Sequence, residues 1–362
     1  MEFTHKPDWP EAQKRIEAWW AGELVDRAVV AVTAPNGRPG RKLPVPATEE
    51  ERWTNADFLI ARQETWVETR YFGGESFPLF FVNLGPSIGS AYLGTEPVFA
   101  PTTAWQERPI IESYDAALPF RFDPGNRWWQ KTLDITRQAV ERLDGISFVS
   151  LTDLGNPTDI LAHLRGSQAL LIDSIERREE IERALAELLP VWWRWYDELL
   201  AITSTRCEGS CGWLAAWSPG RTYPLQCDFS CMISPNTYRW MVVPEMKEIV
   251  ARLDHPLYHL DGPGAIKHLD ALLELPKLRA IQWVPGDGNP SPRHWPDLIR
   301  RILSAGRGVH ASVPPEDVEP MIDEFGPRGL FFSTWCDSAE EAKSLIRRAE
   351  VASARAVRRG VA

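Results

Sequence analysis

The chain has 362 residues, 44% hydrophobic and 25% charged, with a formal net charge of −10. This composition provides for a large core, and the acidic balance argues against nucleic acid or an anionic membrane as the main partner. Residues 1–20, MEFTHKPDWPEAQKRIEAWW, are charged and amphipathic, and no stretch reaches the roughly 18 apolar residues that a membrane helix needs. A cytoplasmic protein with no membrane partner is expected.

In chain order, residues 8–24 read as an amphipathic helix and 27–34 (RAVVAVTA) as a strand closed by Pro35, Asn36 and Gly37. A helix is expected over 48–70 and a buried strand over 77–83. The Pro-, Gly- and Thr-rich stretch 84–125 reads as long loops and short strands. From 126 the pattern turns regular. Helices are expected at 126–143, 157–165, 176–204, 235–252, 264–274, 294–305, 315–325 and 338–357. Strands are expected at 146–152, 211–217, 225–230, 256–260, 279–284, 308–313 and 329–333. Alternating strands and amphipathic helices imply βα units around a parallel sheet. About eight strands favour a closed α/β (β/α)8 TIM barrel, one domain over 1–362, with residues 1–75 as a helical and loop extension packing on it. A doubly wound open sheet is second, since no early strand is followed by a GxGxxG turn.

Five cysteines, Cys207, Cys211, Cys227, Cys231 and Cys336, are odd in number in a long chain. They read as free thiols or metal ligands rather than a disulfide framework. Most of the seventeen tryptophans fall on expected helices as packing residues; Trp213, Trp217, Trp283 and Trp335 lie at or near strand ends.

In a βα barrel, the C-terminal strand ends converge on one face. Asn83, Asp153, Trp217, Asp228, His259, Asp261, Trp283, Gly286, His310, Trp335 and Cys336 meet that criterion. His259 and Asp261 are one stride apart on the same side of a strand, roughly 7 Å at the backbone, and can share a metal or orient one substrate. Gly262, Pro263 and Gly264 then turn the chain into a helix start. Cys336, near the start of the last helix, would complete a zinc site with His259 and Asp261, unless it is simply a buried thiol. Asp228 and Gln226 share a strand face, Asp228 as a candidate base and Gln226 as a substrate partner. Trp217, Trp283, Gly286 and Asp153 are candidate substrate-binding residues, each with a packing or capping role as its alternative. No GxSxG elbow, P-loop, HExxH or Rossmann fingerprint is present.

Four blocks, LQCDFSCMISPNTYRWMVVPEMKEIV, YHLDGPGAIKHLDALLEL, AIQWVPGDG and GLFFSTWCDSAEEAKSLI, together with the N-terminal WWAGELVDRAVVAVTAP, resemble the uroporphyrinogen decarboxylase superfamily. That superfamily includes corrinoid-linked methyltransferases. The resemblance implies a TIM barrel and, for the thiol methyltransferases, a zinc held by a His-x-Cys and a later Cys. His259 and Cys336 match the outer two, and Asp261 stands where the middle cysteine would be. The decarboxylase branch carries an arginine-rich N-terminal clamp for the substrate's carboxylates; here Arg27 and Arg70 are isolated. The expected activity is therefore methyl transfer between a corrinoid, borne by a partner corrinoid protein, and a small-molecule acceptor at a zinc site. The alternative is metal-independent decarboxylation or lysis of a small acid.

Overall fold

The computed structural model describes residues 2–361. Its strands are Val29–Pro35 (β1), Arg70–Gly74 (β2), Leu79–Phe81 (β3), Pro97–Phe99 (β4), Ala104–Gln106 (β5), Phe148–Ser150 (β6), Pro224–Leu225 (β7), Leu257–Asp261 (β8), Ala280–Val284 (β9), Gly308–Ser312 (β10) and Leu330–Trp335 (β11). Seven form one sheet in the order β2-β1-β11-β10-β9-β8-β7. All its pairings are parallel except β2 against β1. β3 pairs in parallel with β6, and β4 with β5 as an antiparallel ribbon. The molecule is thus α/β, with a central, mainly parallel sheet and helices between its strands. β1, drawn from the first 75 residues, is paired on both sides inside that sheet.

The expected closed ring of ladders is not formed: no strand pairing links β3 to β1 or β6 to β7 among the described residues. Two local causes are visible. The apolar run 211–217 is not a strand. It is a loop whose ends Ser210 and Ser218 pair with each other, and Ala215 within it takes a left-handed backbone at φ 55°. The expected strand 225–230 stops at Leu225, and Asp228–Met232 coil into a 3-10 turn. A single backbone bond, Leu151 N–H to the Cys211 carbonyl at 2.9 Å, spans the gap beside β6.

The central strands are buried on both faces, as a sheet covered by helices requires. The helices outside follow local signals. Asn55 ends Glu49–Thr54 and caps Ala56–Glu68 by accepting the Phe58 N–H, so the expected helix 48–70 is two. Ser338 caps the final helix, Ala339–Arg358, through the Glu341 N–H. No helix is long and apolar enough to cross a membrane among the described residues.

The N-terminal helix, Trp9–Ala21, covers the N-terminal ends of the strands. Trp19 donates its indole N–H to the Gly329 carbonyl and Trp20 to that of Trp217, each at 2.8 Å. Trp19 packs edge-on to Phe331 and lies so close to Gly308 that a Cβ there would come within 2.8 Å of its ring. Arg27, at the entrance to β1, is no substrate clamp. It is buried and forks onto Glu75 at 2.7 and 2.8 Å, and Glu75 also accepts the Val30 N–H.

Candidate active site

Parallel register sets three polar side chains in one row across the sheet: His259 on β8, Gln282 on β9 and His310 on β10. His259 donates from Nδ1 to Gln282 Oε1 at 2.5 Å. That bond fixes the ring and leaves Nε2 free to act. Trp213 meets the imidazole edge-on, with ring centres 4.9 Å apart. His310 is fully buried, bonds Ser333 Oγ through Nε2 at 2.8 Å, and is pushed down to about 3 by burial, with the neighbouring His259 adding to the effect. It is therefore a neutral core residue.

Asp261 follows His259 by one stride on β8, and Asp228 opens the turn after β7. Ligand atoms of Asp228, His259 and Asp261 all lie within 4.8 Å of one another. Among the described residues this is the one group of three or more His, Cys, Asp or Glu side chains so placed. Burial raises the Asp228 carboxyl above its ordinary range; His259 opposes that rise and Asp261 adds to it. Its side chain is open to solvent at the mouth but hemmed in by protein. Two converging carboxylates balanced by one imidazole form a donor set that suits a divalent cation.

Asp228 and His259 also line a cavity of about 280 Å³, together with Phe81, Asn83, Asp153, Trp213 and Gln226. Asp153 accepts the Gly155 N–H at 2.9 Å. Burial nevertheless raises it to about 6, with Asp228 adding to the rise and Gln226 opposing it. Asp153, Gln226, Asp228, His259 and Asp261, far apart in sequence, are thus neighbours.

This chain folds like a methyltransferase from Methanosarcina mazei. The likeness has a TM-score of 0.61 and covers 94% of this chain and 98% of that one, at 11% sequence identity. At that identity it is a likeness of fold. No family model matches the chain, and no curated protein matches it.

Four expected site residues lie elsewhere. Trp217 packs at the opposite end, edge-on to Trp9 at 5.4 Å, with its indole donating to the Glu208 carbonyl. The strand expected to carry it to the mouth is the 211–217 loop, and that loop presents Trp213 to the cavity instead. Trp283 is one residue out of phase with the Gln282 row and packs on Trp295 of the helix layer. Gly286 takes φ 80° in the turn after β9 and lines no part of the cavity. Cys336 is buried, with its N–H bonded to the Thr33 carbonyl, and is outside the Asp228–His259–Asp261 group. Burial lifts its thiol to about 11, and Glu341 adds to the rise, so the helix start does not activate it. The other four cysteines are free thiols, three buried and Cys231 exposed, and form no metal group.

Three contributing residues were not among the expected ones. Gln282 is hidden beside Trp283; the phase of β8 is its signal, since His259 and Gln282 share a row. Asn156 and Asp159 read in sequence as the start of a helix, but their side chains bond the backbone of residues 226–229.

Proposed function

We propose that the chain is a methyltransferase of the uroporphyrinogen decarboxylase superfamily, moving a methyl group between a corrinoid and a small-molecule acceptor at a metal site. The observation that carries this reading is the convergence of Asp228, His259 and Asp261 within 4.8 Å, in a fold like that of a known methyltransferase. In this reading the (β/α)8 ring is completed by side chains and loops where ladder bonds are missing.

His259 Nε2 and the carboxylates of Asp228 and Asp261 would hold the ion, zinc being the first candidate for such donors. When bound, it supplies a Lewis acid that lowers the pKa of the acceptor. The chain's own groups do the rest. Gln282 holds the His259 ring in one orientation and tautomer. Gln226 and Asp153 orient the polar end of the acceptor. Asp153, near 6, takes up or returns a proton close to neutral pH. Trp213 and Phe81 form the apolar wall. A cavity of about 280 Å³ admits a small acceptor and not a corrinoid, so the corrinoid meets the mouth from outside, borne by a partner protein.

The test pairs metal analysis of the purified chain with methyl transfer from methylcobalamin to small thiols and other nucleophiles. One ion per chain, and loss of both ion and turnover in His259→Ala and Asp228→Asn, is expected. A chain without stoichiometric metal whose activity survives His259→Ala removes the proposal. The raised carboxyl of Asp153 favours a second reading, metal-independent decarboxylation of a small acid with Asp153 or His259 as the acid. Full activity after exhaustive chelation would select it.

A further inference from the structure

We infer that Asp159, assisted by Asn156, is a positioning residue that stands in for a missing strand and sets where Asp228 meets His259 and Asp261.

β7 is two residues long, and beyond Leu225 the chain has left the ladder. Backbone N–H groups there must find acceptors, because a buried orphan donor is costly. Two side chains of one helical segment provide them. Asn156 Oδ1 accepts the Gln226 N–H at 2.9 Å. Asp159 Oδ2 accepts the Asp228 N–H and its Oδ1 the Phe229 N–H, each at 3.0 Å. Asn156 sits directly before helix Pro157–Arg165 yet makes no side-chain cap bond with it; its oxygen is turned to residue 226 instead.

The support is rigid. Seven of that helix's nine residues are buried, and Asp159 is 3% exposed. Two carboxyl oxygens on a buried helix, each accepting one N–H, fix both the position and the direction of the peptide that carries Asp228. Asn156 does the same for Gln226, so one helix start registers two cavity residues against the His259 row. The inference rests on the metal reading in one respect, that Asp228 acts as a ligand.

Asp159→Asn tests it. The shape is kept, but one of the two N–H groups now faces an amide donor. Two measurements on the full-length protein are read together: a crystal structure of the metal-free variant, and a Co²⁺ titration followed by its visible spectrum. The Asp228 carboxylate should shift by about 1 Å or more, and Co²⁺ affinity should fall by about tenfold or more with an altered spectrum, as when groups behind a metal ligand are lost. An unmoved Asp228 with wild-type Co²⁺ affinity and spectrum, even beside a lowered Tm, would mean a merely structural role and overturn the inference. If the parent protein takes up no Co²⁺, the metal reading fails alone, and the displacement of Asp228 still decides this one. If Asp159→Asn does not fold, Asn156→Ala, which removes the single bond to residue 226, is read in the same two ways. Asn156→Asp, which keeps the accepting oxygen, should restore wild-type behaviour.

Discussion

Replacing Gln282 probes the site through a residue that touches neither solvent nor ligand. Gln282 is 4% exposed, and its Oε1 holds the Nδ1–H of His259 at 2.5 Å. In Gln282→Leu, the lost bond alone is worth about 0.5–1.5 kcal/mol, or roughly a two- to twelvefold change. A second effect adds to it: with no acceptor at Nδ1, the ring proton can move to Nε2, the nitrogen that the Gln282 bond leaves for a ligand. Together these should weaken binding of the proposed ion by about 10- to 100-fold, or about 1.4–2.8 kcal/mol. Gln282→Glu keeps an acceptor, strengthens the bond, and should bind at least as tightly as the parent. Competition titration against a chromophoric chelator measures all three proteins. Equal affinity in the Leu variant, or weaker binding in the Glu variant than in the Leu variant, would refute the reasoning.

Other consequences can be checked independently. Arg27→Ala strands Glu75 in the interior and should cost about 3 kcal/mol, the low end for a broken buried pair. It falls at that end because Arg15 remains 3.6 Å from Glu75; urea unfolding measures it. Asp153 is raised from 3.8 to about 6, so the fold favours its protonated form. Its stabilising contribution is complete below pH 3.8 and is lost as the pH climbs through 6; the gap corresponds to about 3 kcal/mol. Asp153→Asn should flatten the stability profile across that window, and an unchanged slope would show that Asp153 titrates normally. Ala215, at φ 55°, carries about 1–2 kcal/mol of left-handed strain that glycine would relieve, while glycine's greater chain entropy would offset about 0.5–1 of it. Ala215→Gly should therefore raise the unfolding free energy, read from urea titration, by a net of about 0.5–1 kcal/mol.

The parts of the molecule legible in the sequence are those where period and burial agree. His259 and Asp261 share a strand face because alternation demands it, and the strands from β8 to β11 are short apolar runs between amphipathic helices. The loop over 211–217 was not legible: CGWLAAW has the composition of a buried strand. Contacts made by its neighbours decide otherwise. A Cβ on Gly209 would sit 2.1 Å from the Ser218 carbonyl oxygen, and one on Gly212 would sit 2.2 Å from Pro224, so this glycine-flanked chain folds tightly on itself and on the start of β7. That loop moves Trp217 to the far end and brings Trp213 to the cavity. In the sequence Trp283 stands out over Gln282 because the strand's phase is ambiguous until its neighbours fix it; register with His259 settles it. Asn156 and Asp159 were hidden for a different reason. A helix start and a support for a distant backbone use the same residue types, and only tertiary structure tells which N–H groups they serve.

The indoles of the N-terminal helix have a consequence for traffic. Trp19 and Trp20 are bonded across one end of the sheet, and Asp228 and His259 line the cavity at the other. In the proposed reading, a molecule in that cavity lies against the side chains that would hold the ion. With one end of the sheet sealed by indoles, binding and release there would both take place at the end that Asp228 and His259 occupy.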